Sequence, residues 1–318
     1  MAKKKILICG ATGFIGRNIA EELAEREDFE AYGTYFESEA FPCPGIKFIQ
    51  ADLRKQEDVK RVVHGMDIII QAAATTSGSK DIINAPYLHV TDNAVMNSLL
   101  FRAAHEHGVS HVVFFSCSVM YQPSDTPVKE EDFDPGKEIY KSYFGVGWTK
   151  VYLEKMCEFY SRLGKTKYTV IRHSNIYGPY DKYDLEKSHV FGATVTKVMT
   201  AKDGKVVVWG EGSEARDLLH VSDLVHFVEQ AIEKQEGAFK LYNAGYGKAV
   251  AVRDLVQKII AHSGRDLRIE YDASKPTIKT KLSLDSSKAK QELGWEPRVS
   301  LEEGIQKTLE WYKKNIHE

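Results

Sequence analysis

A chain of 318 residues, 43% of them hydrophobic, is long enough to bury a full core and predicts one large or two intimately packed domains. Its formal net charge of −2 offers no basic field for nucleic acid or an anionic membrane. No stretch approaches the roughly 18 consecutive apolar residues of a membrane span, which excludes a helical membrane protein.

In chain order, "MAKKK" runs straight into the apolar strand "ILICG" without the apolar segment and cleavage site of a signal peptide. Cys9, Cys43, Cys117 and Cys157 share no CxxC spacing and read as buried thiols of a reducing compartment, so a cytosolic protein is expected. "FIGRNIAEELAERED" places Ile15, Ile19 and Leu23 on one helix face. "EAYGTYF" and "IKFIQAD" read as strands, "KQEDVKRVVHG" as a helix, "DIIIQAAA" as a strand, "TDNAVMNSLLFRAAHEHG" as a helix and "HVVFFSCS" as a strand. A helix around "GWTKVYLEKMCEFYSRLG" leads to the strand "YTVIRHS". Strands alternating with helices of this length predict right-handed βαβ units, hence an α/β fold with a doubly wound parallel sheet covered on both faces.

Beyond residue 175 the texture changes. "NIYGPYDKYDLEKSH" has the polar, Tyr- and Asp-rich composition of a site loop. A helix near 189–202, the strand "KVVVWG" and helices near 221–234, 251–263, 285–293 and 301–315 follow, with no Pro/Gly linker. The expectation is a Rossmann unit over 1–174, with about 217–245 returning to it, and a smaller α/β substrate unit woven in over 175–318.

"GATGFIG" sets Gly10, Thr12, Gly13, Phe14, Ile15 and Gly16 between the first strand and the first helix. Glycines there let the backbone turn and approach a pyrophosphate, whose charge meets the helix N-terminus. The acid that usually grips the ribose about 20 residues on is missing: Tyr35 stands there, with Glu37 two residues later and no neighbouring arginine for a 2′-phosphate. NAD is favoured slightly and NADP stays open. His105, His107 and His111 do not form a metal-site pattern, because residues two apart leave a helix on different sides.

The GxxGxxG spacing, "ADL" with Asp52 and Leu53, "AAA" at 72–74, "SCSVMY", a lysine followed four residues later by Glu154, "SNIYGP" and "RDLLHVSDL" together resemble one family. It is the extended short-chain dehydrogenases/reductases that modify nucleotide-diphosphate sugars. "NIYGPYDKYDLEKSHV" and "VVVWGEGSEARDLLHV" are similar to the GDP-sugar enzymes of the fucose synthase type. The resemblance implies an adenine contact at Asp52, a cofactor crossing Ala73, Ala74 and Asn93, and a ribose contact at Lys150. It also implies sugar-nucleotide contacts at Asn175, Lys197, Trp209 and Arg216, and an acid at His189. Plainer roles stand beside these: Asp52 as a helix N-cap, Trp209 as core, and Arg216 as a surface partner of Asp217. The resemblance also implies a homodimer or larger homo-oligomer through the helix after residue 92 and the helix carrying Lys150, whose apolar Val95, Leu99, Val151, Leu153 and Met156 suit either that interface or the core.

The resemblance also implies a tyrosine four residues before Lys150, exchanging a proton with the sugar oxygen, and a Ser or Thr hydroxyl nearby. Here Val146 and Cys117 occupy those positions, and a valine carries no proton. Tyr143, Ser118, His189, Cys117 as a thiolate or an ordered water are the alternatives. The chain is then a working oxidoreductase with a rearranged proton route, a weak homologue that binds without turnover, or a sequence in which residue 146 is an introduced change. Fucose-synthase-type epimerisation at C3 and C5 is disfavoured, because Val119 stands where that group has a cysteine. A C4 dehydrogenase or reductase on a GDP-linked sugar is the first choice and a C4 epimerase the second.

Overall fold

A computed structural model describes residues 3–76, 84–185, 188–275 and 277–316. Seven strands form one all-parallel sheet: β1 (Lys4–Cys9), β2 (Phe29–Tyr35), β3 (Ile46–Gln50), β4 (Ile68–Gln71), β5 (His111–Phe115), β6 (Lys167–His173) and β10 (Phe239–Ala244). Their spatial order is β10-β6-β5-β4-β1-β2-β3. The order reverses between β1 and β4, and ligands of doubly wound sheets bind in the crevice that such a switch opens at the strands' carboxyl ends.

The strand sequences are near-continuous apolar runs because helices cover both faces. All residues of β4 and β5 are buried. On one face α1 (Phe14–Ala24) and α6 (Val221–Lys234) contribute Ile19, Leu23, Phe227 and Val228 to a cluster closed by Trp295. On the other face α2 (Gln56–Val63), α3 (Thr91–Glu106) and α4 (Phe144–Leu163) contribute Val59, Val62, Leu100, Phe101 and Leu153.

The second layer is built around β9 (Ala215–His220). It pairs with β7 (Asn175–Tyr177) and β13 (Lys281–Leu282) in parallel and with β11 (Ala249–Ala251) antiparallel. β8 (Lys205–Trp209) pairs with β12 (Arg268–Asp272). α5 (Val190–Thr200), α7 (Val252–Ser263) and α9 (Leu301–Asn315) pack around these strands, and Tyr177 stacks on Phe191 with ring centroids 4.1 Å apart. The short α8 (Ser287–Leu293) returns to the first unit, and the Trp295 indole beyond it donates to Asp223 O (2.9 Å).

Three expectations change. The stretch beginning "NIYGP" opens as strand β7, since three residues are too few to show a period before β9 supplies the pairing. Asp52 is not a helix cap: α2 starts at Gln56 after Lys55, and the Asp52 carboxylate turns to Arg54. Leu153 is core, and Val151 packs against the cluster around Tyr121. The exposed large apolar side chains of α4 are Phe144, Tyr152, Phe159 and Leu163, spaced along one helix face, with Val95 exposed on α3 beside it.

Candidate active site

The loop after β1 is shaped by what a side chain would strike. Gly10 has φ +73°, and a Cβ there would lie 2.7 Å from Ala73 Cα. A Cβ on Gly16 would lie 2.1 Å from Gly10 O, so α1 comes down directly on the turn. Helix α1 begins at Phe14 behind Gly13 with no side-chain cap, leaving its first N–H groups free to hold an anion. Thr34 on β2 fixes the turn: its Oγ1 accepts from Gly10 N (2.9 Å) and its carbonyl from Ala11 N (2.8 Å). Phe14 and Ile15 pack on the core behind, and Thr12 is half-buried. This cradle fits a pyrophosphate.

At the end of β2, Tyr35 is half-buried with its ring 6.5 Å from Phe48, and Glu37 is exposed. The sequence showed no arginine here, but the fold brings one. Arg54 lies 5.0 Å over the Phe36 ring and holds Asp52 through Nε (2.9 Å) and Nη2 (3.2 Å), and Asp92 through Nη1 (3.1 Å). Two carboxylates against one guanidinium leave the local charge negative, which suits an unphosphorylated ribose better than a 2′-phosphate. Arg54 holds the Asp52 carboxyl below its usual range. Leu53 is buried under the same turn.

Beyond β4, Ala73 is half-buried and Ala74 exposed. Asn93 on α3 fastens this loop by accepting from Thr75 N (3.1 Å) and donating to Thr75 O (2.9 Å). Asn97 continues inward, donating to Asn93 O (2.8 Å) and accepting from Gln71 (2.9 Å), a buried chain that no sequence period announces.

Across the switch point, β5 is followed by Ser116, Cys117 and Ser118. Ser116 Oγ donates to Glu154 Oε1 (2.5 Å), Ser118 is buried with its carbonyl accepting from Tyr121 N (3.2 Å), and the half-buried Cys117 lies in the field of Lys150. Burial pushes the Cys117 thiol up and Lys150 opposes that shift. Lys150 Nζ donates to Phe115 O (2.8 Å) and sits 4.9 Å over the Phe114 ring; burial lowers its pKa. Val146, one helical turn earlier on α4, is half-buried.

Tyr143 does not lie on the helix. It closes a 3₁₀ turn over Lys141–Tyr143 and packs on the cluster of Met120, Tyr121, Val128, Ile139 and Leu284, against which Cys117 also packs. His173, unnoticed in the sequence, ends β6 near Lys150, with Nδ1 donating to Ser174 O (2.7 Å). Burial lowers its pKa to about 4, so the ring is neutral.

The facing unit brings the remaining residues. Asn175 Nδ2 donates to Asp217 O (3.3 Å), and His189 is exposed at the N-cap of α5. Lys197 Nζ donates to Val207 O (2.9 Å) and lies 5.2 Å over the Trp209 ring. Trp209 ends β8 exposed rather than in the core. Arg216 is not a surface partner of Asp217: its guanidinium donates to Ala215 O, Thr280 O and Ile278 O (2.9, 2.6 and 2.7 Å). Asp217 is buried and accepts from the N–H groups of Tyr246, Gly247 and Leu284. His105 and His107 meet the rings of Tyr160 and His64, and His111 meets Thr169. Among the described residues no group of His, Cys, Asp and Glu could hold a metal, and no helix is long and apolar enough to cross a membrane.

A doubly wound sheet with a glycine turn shaped for a phosphate on one side of its switch point and the half-buried Lys150 on the other fits a dinucleotide-dependent enzyme of the extended short-chain dehydrogenase/reductase type, using NAD. The chain belongs to the NAD dependent epimerase/dehydratase family, whose sequence model matches residues 6–245. It is similar to GDP-L-fucose synthase of Escherichia coli, 28% identical over 99% of this chain and 98% of that protein. It is also similar to a dTDP-4-dehydro-6-deoxy-D-allose reductase of Streptomyces, 26% identical over 98% and 97%. Among solved structures it is similar to UDP-glucose 4-epimerase of Thermotoga maritima with UDP-glucose, at TM-score 0.87 and 26% identity over 98% of this chain and all of that one.

Proposed function

We propose that the protein is an NAD-dependent oxidoreductase acting at C4 of a nucleotide-diphosphate sugar, GDP-linked by preference, as a 4-dehydrogenase or 4-reductase. One observation carries this reading: Lys150 and Cys117 stand together at the carboxyl edge of the sheet, across the switch point from the glycine cradle. When bound there, the nicotinamide supplies or accepts the hydride. Gly10, Gly13 and Gly16 would hold its pyrophosphate, and Lys150 would reach its ribose. The facing unit offers Arg216 and Lys197 as cations for a diphosphate and the exposed Trp209 as a platform for a base. The likeness to the fucose synthase supports the GDP preference, and that to the dehydro-allose reductase supports chemistry at C4.

The likeness to a 4-epimerase favours a second reading, in which one bound cofactor oxidises and then re-reduces the sugar. Absorbance of the reduced nicotinamide separates the two in purified protein given GDP- and UDP-sugars. A dehydrogenase or reductase changes it stoichiometrically, whereas an epimerase converts sugar without a net change. The exposed Tyr152, Phe159, Leu163 and Val95 on adjacent helices α4 and α3 support a homodimer through that face, which sedimentation of the native chain against Phe159→Glu tests.

A further inference from the structure

We propose that Tyr143 is the proton-transfer residue of this site, acting from the turn ahead of α4 in place of a group at position 146; the proposal rests on the C4 oxidoreductase reading above. Val146 has no proton to give, and Lys150 already donates to Phe115 O. His173 has Nδ1 engaged with Ser174 O.

Counting residues puts Tyr143 about 10 Å from Lys150 along a continuous helix. The chain does not follow that helix. It turns in a 3₁₀ segment, held by Tyr143 N–H donating to Tyr140 O (2.7 Å) with the two rings 6.0 Å apart. The phenol ring thereby lies on the cluster of Met120, Tyr121 and Ile139. Cys117 packs on that cluster from the end of β5, and Leu282 from β13. Leu282 is the register partner of Arg216 on β9. Tyr143 therefore shares one cluster with two residues that the sequence could only place separately: Cys117, which lies beside Lys150, and Leu282, the strand neighbour of Arg216 in the facing unit. The fields of both Cys117 and Arg216 reach its hydroxyl. A sugar whose diphosphate meets Arg216 and whose C4 faces the nicotinamide would span the cluster on which this phenol packs.

The environment also sets the direction of work. Burial pushes the Tyr143 hydroxyl up, and Arg216 opposes without reversing the shift, so the phenol is protonated at neutral pH. A protonated phenol is a general acid, the form that reduction requires. In that step the carbonyl carbon gains the hydride that reduced nicotinamide supplies, and the π pair of the C=O moves to oxygen. The Tyr143 O–H bond breaks as the sugar O–H forms, and water reprotonates the phenolate.

The test uses the full chain with NADH and a GDP-4-keto-6-deoxyhexose, alongside NMR of protein labelled at tyrosine Cζ. Tyr143→Phe should bind NADH and GDP-hexose within about threefold of native yet lose about 10²–10⁴-fold in kcat, the usual size of a general-acid contribution. Tyr143→Phe/Val146→Tyr, which sets a phenol one turn from Lys150, should recover at least tenfold of that loss; a purely structural defect would not recover. The Cζ resonance that vanishes in Tyr143→Phe should move when NAD and GDP-hexose are added, and its titration midpoint should rise in Arg216→Gln. Full turnover by Tyr143→Phe, or a Cζ resonance indifferent to the sugar, overturns the proposal. If the native chain turns over no sugar, the oxidoreductase reading fails, and the resonance alone decides whether Tyr143 meets the ligand.

Discussion

Removing one partner of the Glu154–Arg172 pair should cost far more stability than removing both. The two side chains are 4–5% exposed and joined twice, Arg172 Nε to Glu154 Oε1 (3.0 Å) and Nη2 to Oε2 (2.6 Å). Glu154 also accepts from Ser116 Oγ (2.5 Å), and Arg172 Nη1 donates to the Tyr121 hydroxyl (2.8 Å) and Glu130 O (3.2 Å). Glu154→Leu alone leaves a buried guanidinium without its counter-charge, a loss of about 3–5 kcal/mol, against a total stability on the order of 5–15 kcal/mol. Arg172→Met alone strands the carboxylate at a similar cost. The double variant buries no charge and loses mainly the Ser116 and Tyr121 hydrogen bonds, about 1 kcal/mol each. Urea unfolding followed by circular dichroism on the four proteins should give a coupling energy of at least about 2 kcal/mol. A coupling below about 0.5 kcal/mol would refute the reasoning, since that is what an exposed, screened pair returns. The pair matters to the site because Ser116 precedes Cys117 and Glu154 lies one turn beyond Lys150.

Gly16→Ala should abolish NAD binding by calorimetry and lower the melting temperature, because its methyl would meet backbone at Gly10 O rather than a side chain that can move. Trp209→Ala should leave urea unfolding within about 0.5 kcal/mol of native, as surface changes do, while raising KM for a GDP-sugar about tenfold and leaving NAD affinity unchanged; an unaltered KM would remove Trp209 from the site. His111 is buried, with Nε2 against Thr169 Oγ1 (2.8 Å) and its pKa lowered to about 4 by burial and by Lys167. The folded ring stays neutral while the unfolded one takes a proton below about pH 6.5. The stability this confers is therefore complete above that pH and lost as the pH falls toward 4, up to about 3 kcal/mol. The urea midpoint should fall between pH 7.5 and 5, and His111→Gln should flatten that fall.

The parallel strands with their intervening helices and the glycine turn after β1 were legible because each rests on a local pattern: unbroken apolar runs for buried parallel strands, and glycines where the backbone turns back on itself. What escaped depends on contacts between distant segments. Arg54 reaches Phe36 only because β2 and β3 lie side by side, so the acidic corner beside Phe36 could not be read from "TYFES". Trp209 sits in an apolar run that reads as core, yet it is the last residue of its strand and leaves the packed layer. His173 was hidden inside a buried strand sequence, at the end that opens toward Lys150. Tyr143 stood among several alternatives for the proton route, and the 3₁₀ turn of three residues that carries it has no sequence period to announce it.

The most direct measurement of the central claim is deuterium transfer. Protein incubated with nicotinamide-4-deuterated NADH and a GDP-4-keto-6-deoxyhexose is predicted to give a GDP-sugar with one deuterium at C4, seen as the collapse of the H4 signal in the proton NMR spectrum. Recovery of the ketone unchanged, or deuterium at any other carbon, would contradict it.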